Sequence, residues 1–171
     1  MPAQFLDEYL RELKRDGAAV FRAHYGVPVL ILIKTGGELQ DRDNSEEATV
    51  LASSSVWRLQ ELSLLNRVFP LVKGAFALPG PVSLGRSDNS DVAVPEESIS
   101  KRHCVFDVGP HGVQVVDTGS TNGTAVAGKP LAANEPCPLT GGEELEIGNF
   151  SFLFHTPDSF VAYLQTLGSA P

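Results

Sequence analysis

The sequence predicts a mainly β protein, an antiparallel β-sandwich with an amphipathic helix at each terminus. Two observations carry that expectation. Beyond Val68, short β-branched and aromatic runs are punctuated at close intervals by Gly, Pro and Asn turn signals, as in a sandwich. At both ends, by contrast, apolar residues recur at the spacing of one helix face.

In chain order, Phe5, Leu6, Tyr9, Leu10 and Leu13 share a face, Asp7 and Arg11 make a favourable i,i+4 pair, and Gly17 is a stop signal. The spacing predicts a helix over residues 3–16. Residues 27–33 are a continuous β-branched and apolar run, too short for most helices, and predict a strand. Thr35-Gly36-Gly37 closes it, and the polar stretch to Glu47 predicts an exposed loop. Residues 48–66 stay undecided: 49–51 suggest strand, while 56–62 fit either alternation or a helical turn.

The first sandwich strand is expected at 68–73, with Pro70 placing it at an edge or a bulge. Pro79-Gly80 turns the chain into Val82-Ser83-Leu84. Further strands are expected at 104–108, 113–117, 124–126, 144–147 and 150–154, separated by Gly- and Pro-containing turns. The C-terminal helix is signalled by Thr156 as N-cap, Pro157 at the first helical position and Asp158 in the first turn. Phe160, Tyr163, Leu164 and Leu167 form its apolar stripe, and Gly168 ends it. The terminal helices should pack on the sandwich or on each other, or cover an edge strand.

The chain of 171 residues carries a net charge of −8, which argues against general nucleic-acid binding. No run of eighteen apolar residues is present, so no membrane-spanning helix is expected. The first residues lack a basic region followed by a long apolar one, so no secretory signal is visible and the expected location is cytoplasmic. The two cysteines, Cys104 and Cys137, lack metal-ligand spacing; Cys104 reads as a small buried hydrophobe. No metal or other cofactor is implied. From Leu65 onward six Lys and Arg face eleven Asp and Glu, and three of the six, Arg86, Lys101 and Arg102, fall close to one another in short motifs. A local positive spot on an acidic body suits a small, specifically placed anion better than a long polyanion.

Those motifs occupy residues 85–124. Gly85-Arg86-Ser87 supplies a guanidinium that can fork onto two oxygens of a phosphate. Ser98-Ile99-Ser100-Lys101-Arg102-His103 sets a hydroxyl beside an ammonium, with an imidazole three residues on. Asp117-Thr118-Gly119-Ser120-Thr121-Asn122-Gly123-Thr124 is a turn, in which Gly119 and Gly123 allow positive φ and Thr121 and Asn122 can bond across a loop.

The order G-R, S-x-x-H, S-T-N-G-T, each piece separated by a strand pattern, resembles the forkhead-associated (FHA) domain, a phosphothreonine-reading β-sandwich. The resemblance covers roughly residues 64–155. Together with the terminal patterns it divides the chain into three units: an N-terminal helix and strand extension over 1–63, either packed on the sandwich or a separate unit, an FHA-like domain over 64–156, and a C-terminal helix over 157–171. It also implies that Arg86, Ser100 and Lys101 contact the phosphate, that Thr121 lies at the phosphothreonine pocket, and that Asn122 bonds the peptide backbone. Gly85, His103 and Gly123 would support the site structurally. Arg102 divides between phosphate and solvent or an acidic neighbour. Ser98 lies near where the family selects the third residue after the phosphothreonine. Two positions depart from the family pattern: Ser90 and Ala127 each stand where Asn is common, and both look like turn formers.

The expected partner is therefore a phosphothreonine-containing protein or peptide, a kinase or kinase substrate, with no nucleic acid and no membrane involved. The function implied is that of a non-catalytic adaptor in serine/threonine-kinase signalling. One alternative is a phospho-independent interaction protein with a silent pocket. Another is a hydrolase using Ser100 and His103, which the short spacing and the absence of a G-x-S-x-G turn disfavour.

Overall fold

The computed structural model describes residues 4–35, 65–74 and 77–169. Most of the undecided stretch at 48–66 and the expected polar loop before it lie outside these residues. Twelve strands and three helices are described, in the order β1 (Gln4–Phe5), α1 (Leu6–Asp16), α2 (Ala18–His24), β2 (Val29–Lys34), β3 (Arg67–Pro70), β4 (Val82–Gly85) and β5 (Val92–Ala93). They continue with β6 (Cys104–Gly109), β7 (Gly112–Asp117), β8 (Thr124–Val126), β9 (Lys129–Pro130), β10 (Pro136–Leu139), β11 (Glu144–Ile147), β12 (Phe150–His155) and α3 (Pro157–Gly168).

The strands form two sheets. One runs β1-β3-β2-β12-β11-β8-β9 and the other β10-β7-β6-β4-β5, with all pairings antiparallel except β4 with β5. Between them lies a core that includes Leu30, Leu32, Phe69, Leu84, Phe106, Val115, Leu145, Phe152 and Phe154. The alternation expected of strands appears directly in β12. Phe150, Phe152 and Phe154 point into this core, while Leu153 packs on the opposite face.

That opposite face explains the continuous apolar run of β2. Leu30 and Leu32 enter the inter-sheet core, whereas Val29 and Ile31 join a second core with Leu6, Tyr9, Leu13, Phe21, Val68, Phe160 and Leu164 from the helices and β3. A strand buried on both faces has no polar alternate positions. β2 sits mid-sheet, paired with β3 on one side and β12 on the other.

The helices cover this outer face and also pack on one another, α3 touching both α1 and α2. Tyr9 is the hub, edge-on to Phe21, Tyr25 and Phe160 at centroid distances of 6.2, 5.0 and 5.4 Å. The helix expected at 3–16 begins at Leu6, because Gln4 and Phe5 first pair with Val68 and Arg67 as a short edge strand. The Phe5 N–H donates to Glu8 Oε2 at 3.2 Å, which helps set this boundary. Gly17 ends α1 as expected, with φ 78° and its N–H donating to the Leu13 carbonyl, and a second helix, α2, starts directly after it.

Candidate functional site

The three motifs meet at one end of the sandwich, in the turns after β4, before β6 and between β7 and β8. Gly85 closes β4, and the reason for glycine is space: its φ is not positive, but a Cβ there would lie 2.3 Å from the Lys101 carbonyl oxygen and 2.9 Å from Arg102 Cα. Two backbones therefore touch at this point, and the contact fixes the next residues of each. The Arg86 N–H donates to the Ser100 carbonyl at 2.9 Å and the Ser87 N–H to the Lys101 carbonyl at 3.3 Å. The Arg86, Lys101 and Arg102 side chains are exposed, and among the described residues none has a hydrogen-bond or ion-pair partner.

His103 supports the second motif from below. Its side chain is fully buried. Nδ1 accepts from the Ser100 N–H at 3.1 Å, and Nε2 lies 2.9 Å from the Gly123 carbonyl, which accepts from it. That pair of partners defines the neutral Nε2–H tautomer. Burial pushes the imidazole pKa down, against the opposing influence of the Gly123 carbonyl and Asp117. One ring thus ties the motif at 98–103 to the turn at 117–124. With both nitrogens engaged by backbone, it has no free lone pair with which to deprotonate Ser100 Oγ.

The third motif is organised by Asp117, which is 3% exposed. Its Oδ1 accepts from the N–H groups of Gly119 and Ser120, both at 2.8 Å. Its Oδ2 accepts from the hydroxyls of Ser120 and Thr124, both at 2.6 Å. Burial alone would raise this carboxyl, but the four donors outweigh it and hold the group below the ordinary carboxylate range. The Ser120 hydroxyl in turn accepts from the Gly123 N–H at 3.0 Å, and Gly123 takes φ 79°, in the left-handed region. Asp117 and Ser120 belong to the third motif, and the resemblance implies no role for either. The available signal was an Asp followed two and three residues later by Gly-Ser, a side chain placed to bond its own turn.

Two further bonds bring the outer side chains together. Ser100 Oγ accepts from the Thr121 N–H at 3.0 Å and lies 3.5 Å from Thr121 Oγ1, so its own proton has only a long contact within the protein. Asn122 Nδ2 donates to the Ser98 carbonyl at 2.8 Å, leaving its second N–H and its Oδ1 for another partner. Ser98 is itself half-buried, its hydroxyl accepting from the Asn149 N–H at 3.2 Å. The arrangement sets a hydroxyl and a carboxamide beside two unpaired cations, on a base pinned by buried bonds. Chemically it can receive a small, multiply charged oxyanion and an adjacent peptide group.

Residues 82–148, which carry this site, match the family model of the FHA domain. This segment is an FHA domain. Among curated relatives, the FHA-containing chain is 36% identical over 88 residues to the glycogen accumulation regulator GarA of Mycolicibacterium smegmatis, covering 51% of this chain and 54% of that one. It is 34% identical over 86 residues to the oxoglutarate dehydrogenase inhibitor of Corynebacterium glutamicum, covering 50% and 58%. The chain thus spans about half the length of the curated relatives it matches. In fold it is similar to the crystal structure of the FHA domain of a Chlamydia trachomatis protein, with TM-score 0.50 and 18% identity over 75% of this chain and 96% of that one.

The two departures from the family pattern lie outside the converging groups. Ser90 donates its hydroxyl to the Lys101 carbonyl at 3.3 Å, bracing the loop after β4. Ala127 forms the β8–β9 turn with Gly128, and its φ of 49° is left-handed, a region in which Asn is more at ease than Ala. Among the described residues, no helix is long and apolar enough to cross a membrane.

Proposed function

We propose that this end of the FHA domain reads phosphothreonine, and that the chain is a non-catalytic adaptor in serine/threonine-kinase signalling in the cytoplasm. Its partner is then a phosphothreonine-containing protein, a kinase or a kinase substrate. The observation that carries the reading is the pair of unpaired cations, Arg86 and Lys101, held beside the Ser100 hydroxyl by backbone bonds from both directions. A phosphothreonine brings roughly −1.5 to −2 charges and three acceptor oxygens. Arg86, Lys101 and Ser100 supply donors to those oxygens, each charge-assisted bond contributing roughly 1.5–3 kcal/mol. Thr121 borders the group, and Asn122 offers its remaining amide valences to the peptide backbone. Burial of the threonine methyl would add about 0.8 kcal/mol over serine.

Two roles complete the proposal. Gly85, His103 and Gly123 hold the site without touching the ligand. Ser100 and His103 form no nucleophile–base pair, because the imidazole bonds the serine's N–H and not its hydroxyl. Calorimetric titration of the wild type, Arg86→Ala and Arg86→Lys with a phosphothreonine peptide tests the reading. Arg86→Ala is expected to weaken binding by roughly 2–4 kcal/mol, through a lost charge-assisted bond and an under-paired phosphate. Arg86→Lys should recover only part, since the ammonium keeps the charge but loses the fork. Equal affinity in all three proteins would favour a phospho-independent interaction role for the same fold.

A further inference from the structure

A cleft of about 560 Å³ adjoins the phosphate-reading loops on the β4–β5 side of the molecule. Its lining includes Lys73, Leu78, Pro81, Asn89, Lys101 and Arg102. Three of these are cations, and among the described residues no lining residue is a carboxylate. Lys73 is already neutralised: its ammonium donates to Asp91 Oδ2 at 2.8 Å and to the Pro81 carbonyl at 3.1 Å. Asp91 itself is buried beneath the cleft, where it also accepts from the N–H groups of Gly74 and Ser83 and from the Ser83 hydroxyl. Among the described residues, the charge left open to the cleft is that of Lys101 and Arg102.

Arg102 is better prepared for binding than an ordinary surface arginine. Its backbone is trapped between the Cα of Gly85 and Thr118, whose hydroxyl donates to the Arg102 carbonyl at 3.2 Å and to the His103 carbonyl at 2.9 Å. The side chain therefore leaves a fixed base, and less backbone freedom is lost when it is engaged. Lys101 belongs to both places, standing next to Ser100 and lining the cleft. The cleft thus adjoins the proposed phosphate site through Lys101, and neither Asn122 nor Ser98 lines it.

We propose that this cleft is a second anion subsite, which takes an acidic group of the same peptide lying on one flank of the phosphothreonine, with Arg102 as its specificity-determining residue. The inference rests on the phosphothreonine reading above. The shared chemistry is a side-chain oxyanion, either a carboxylate or a second phosphate. The apolar wall of Leu78 and Pro81 favours a side chain with a short aliphatic stem over a free ion.

The test uses the full chain and phosphothreonine peptides that are otherwise alanine, with one Glu placed at each of the four positions on either side. Wild type should bind Glu peptides of one flank about three- to tenfold more tightly than the all-alanine peptide, and those of the other flank no better. Arg102→Gln should abolish the gain, and Asn89→Asp, which sets a like charge in the cleft, should turn it into a loss. Replacing the favoured Glu by phosphoserine distinguishes the sources: a further gain names a second phosphate, and no further gain names a carboxylate. If wild type binds no phosphothreonine peptide, it is the underlying reading that fails. If it binds them all alike, or if Arg102→Gln keeps the flank preference, the second subsite is overturned while the phosphothreonine reading stands.

Discussion

The loop end and the helix-covered face of this molecule each bury a histidine, and the two are held differently. His103 has a backbone partner on each nitrogen. Among the described residues His155 has a single polar partner, a side chain: Nδ1 lies 3.0 Å from Ser159 Oγ, its Nε2 is buried without a partner, and its ring stacks on Tyr163 at 4.7 Å. The difference follows from what each region must do. On the phosphothreonine reading proposed above, the loop end has to keep polar groups at the surface, so its rigidity comes from hydrogen bonds running inward to Asp117 and His103. The helical face meets no such demand and is fixed by aromatic packing around Tyr9, Phe21 and Phe160. One unsatisfied nitrogen is tolerated there because the surrounding packing outweighs it.

The largest expected effect belongs to the packed face. Phe160 is fully buried between Tyr9, Phe21 and His155. Phe160→Ala should cost about 3–5 kcal/mol in urea unfolding, through lost apolar transfer and the cavity left behind. Phosphopeptide affinity of the protein that remains folded should be unchanged. A large loss of affinity at low denaturant would show that the two regions are coupled, and the comparison would have to be abandoned.

At the loop end, His103→Ala should lower both quantities. It leaves the Ser100 N–H and the Gly123 carbonyl without their partner, at about 3 kcal/mol of stability in total. Ser100 is one of the groups proposed above to meet the phosphate, so affinity should fall with stability. A stable variant with wild-type affinity would remove His103 from the scaffold of the site.

A pH series separates the two histidines. Burial pushes the His155 pKa down to about 4, against an opposing influence of Glu143. The unfolded chain therefore takes up protons below about pH 6.5 while the folded one resists until about pH 4. The contribution is fully present above pH 6.5 and is lost as the pH falls through this window, by about 2 kcal/mol at pH 5. His155→Gln should flatten the slope of stability between pH 6.5 and 5, leaving a residual slope from His103, whose pKa is also depressed. Carboxylates such as Asp117, held below their usual range, act only at lower pH. An unchanged slope in the variant would refute the assignment.

How legible each region was in the sequence differs for the same reason. The loop end could be read because its three short motifs, in order, resemble those of a known family, and the structure brings Gly85, Ser100, Asn122 and Gly123 together in its turns. The central strands could be read from alternation, as in β12. The elements that escaped depend on partners far away in the chain. The run 18–24 has no N-cap side chain, and α2 exists because Phe21 meets Tyr9 and Phe160. In β10 two prolines obscured a strand that survives because it pairs with β7 alone, at a sheet edge. The doubly buried character of β2 was visible as an apolar run, but what covered its second face was not.

The smallest expected effect lies outside both regions and tests whether the site feels strain from its neighbours. Ala127 and Gly128 form a two-residue hairpin turn between β8 and β9, with φ of 49° and 75°. Two successive positive φ values are the requirement of a type I′ turn, where Asn-Gly is the preferred pair and alanine is strained by its Cβ. Ala127 is exposed, so a longer side chain meets no packing obstacle. Ala127→Asn should therefore stabilise the fold by about 0.5–1 kcal/mol, read as a higher midpoint in urea with the same slope. β8 also carries Thr124, one of the donors to Asp117, so strain passing along this strand would reach the turn at 117–124. If the turn is set by its own bonds to Asp117 and His103, phosphopeptide affinity stays at the wild-type value while stability rises. A change in affinity that tracks the gain in stability would mean that the loop end draws its rigidity from the sheet as well as from its two buried polar anchors.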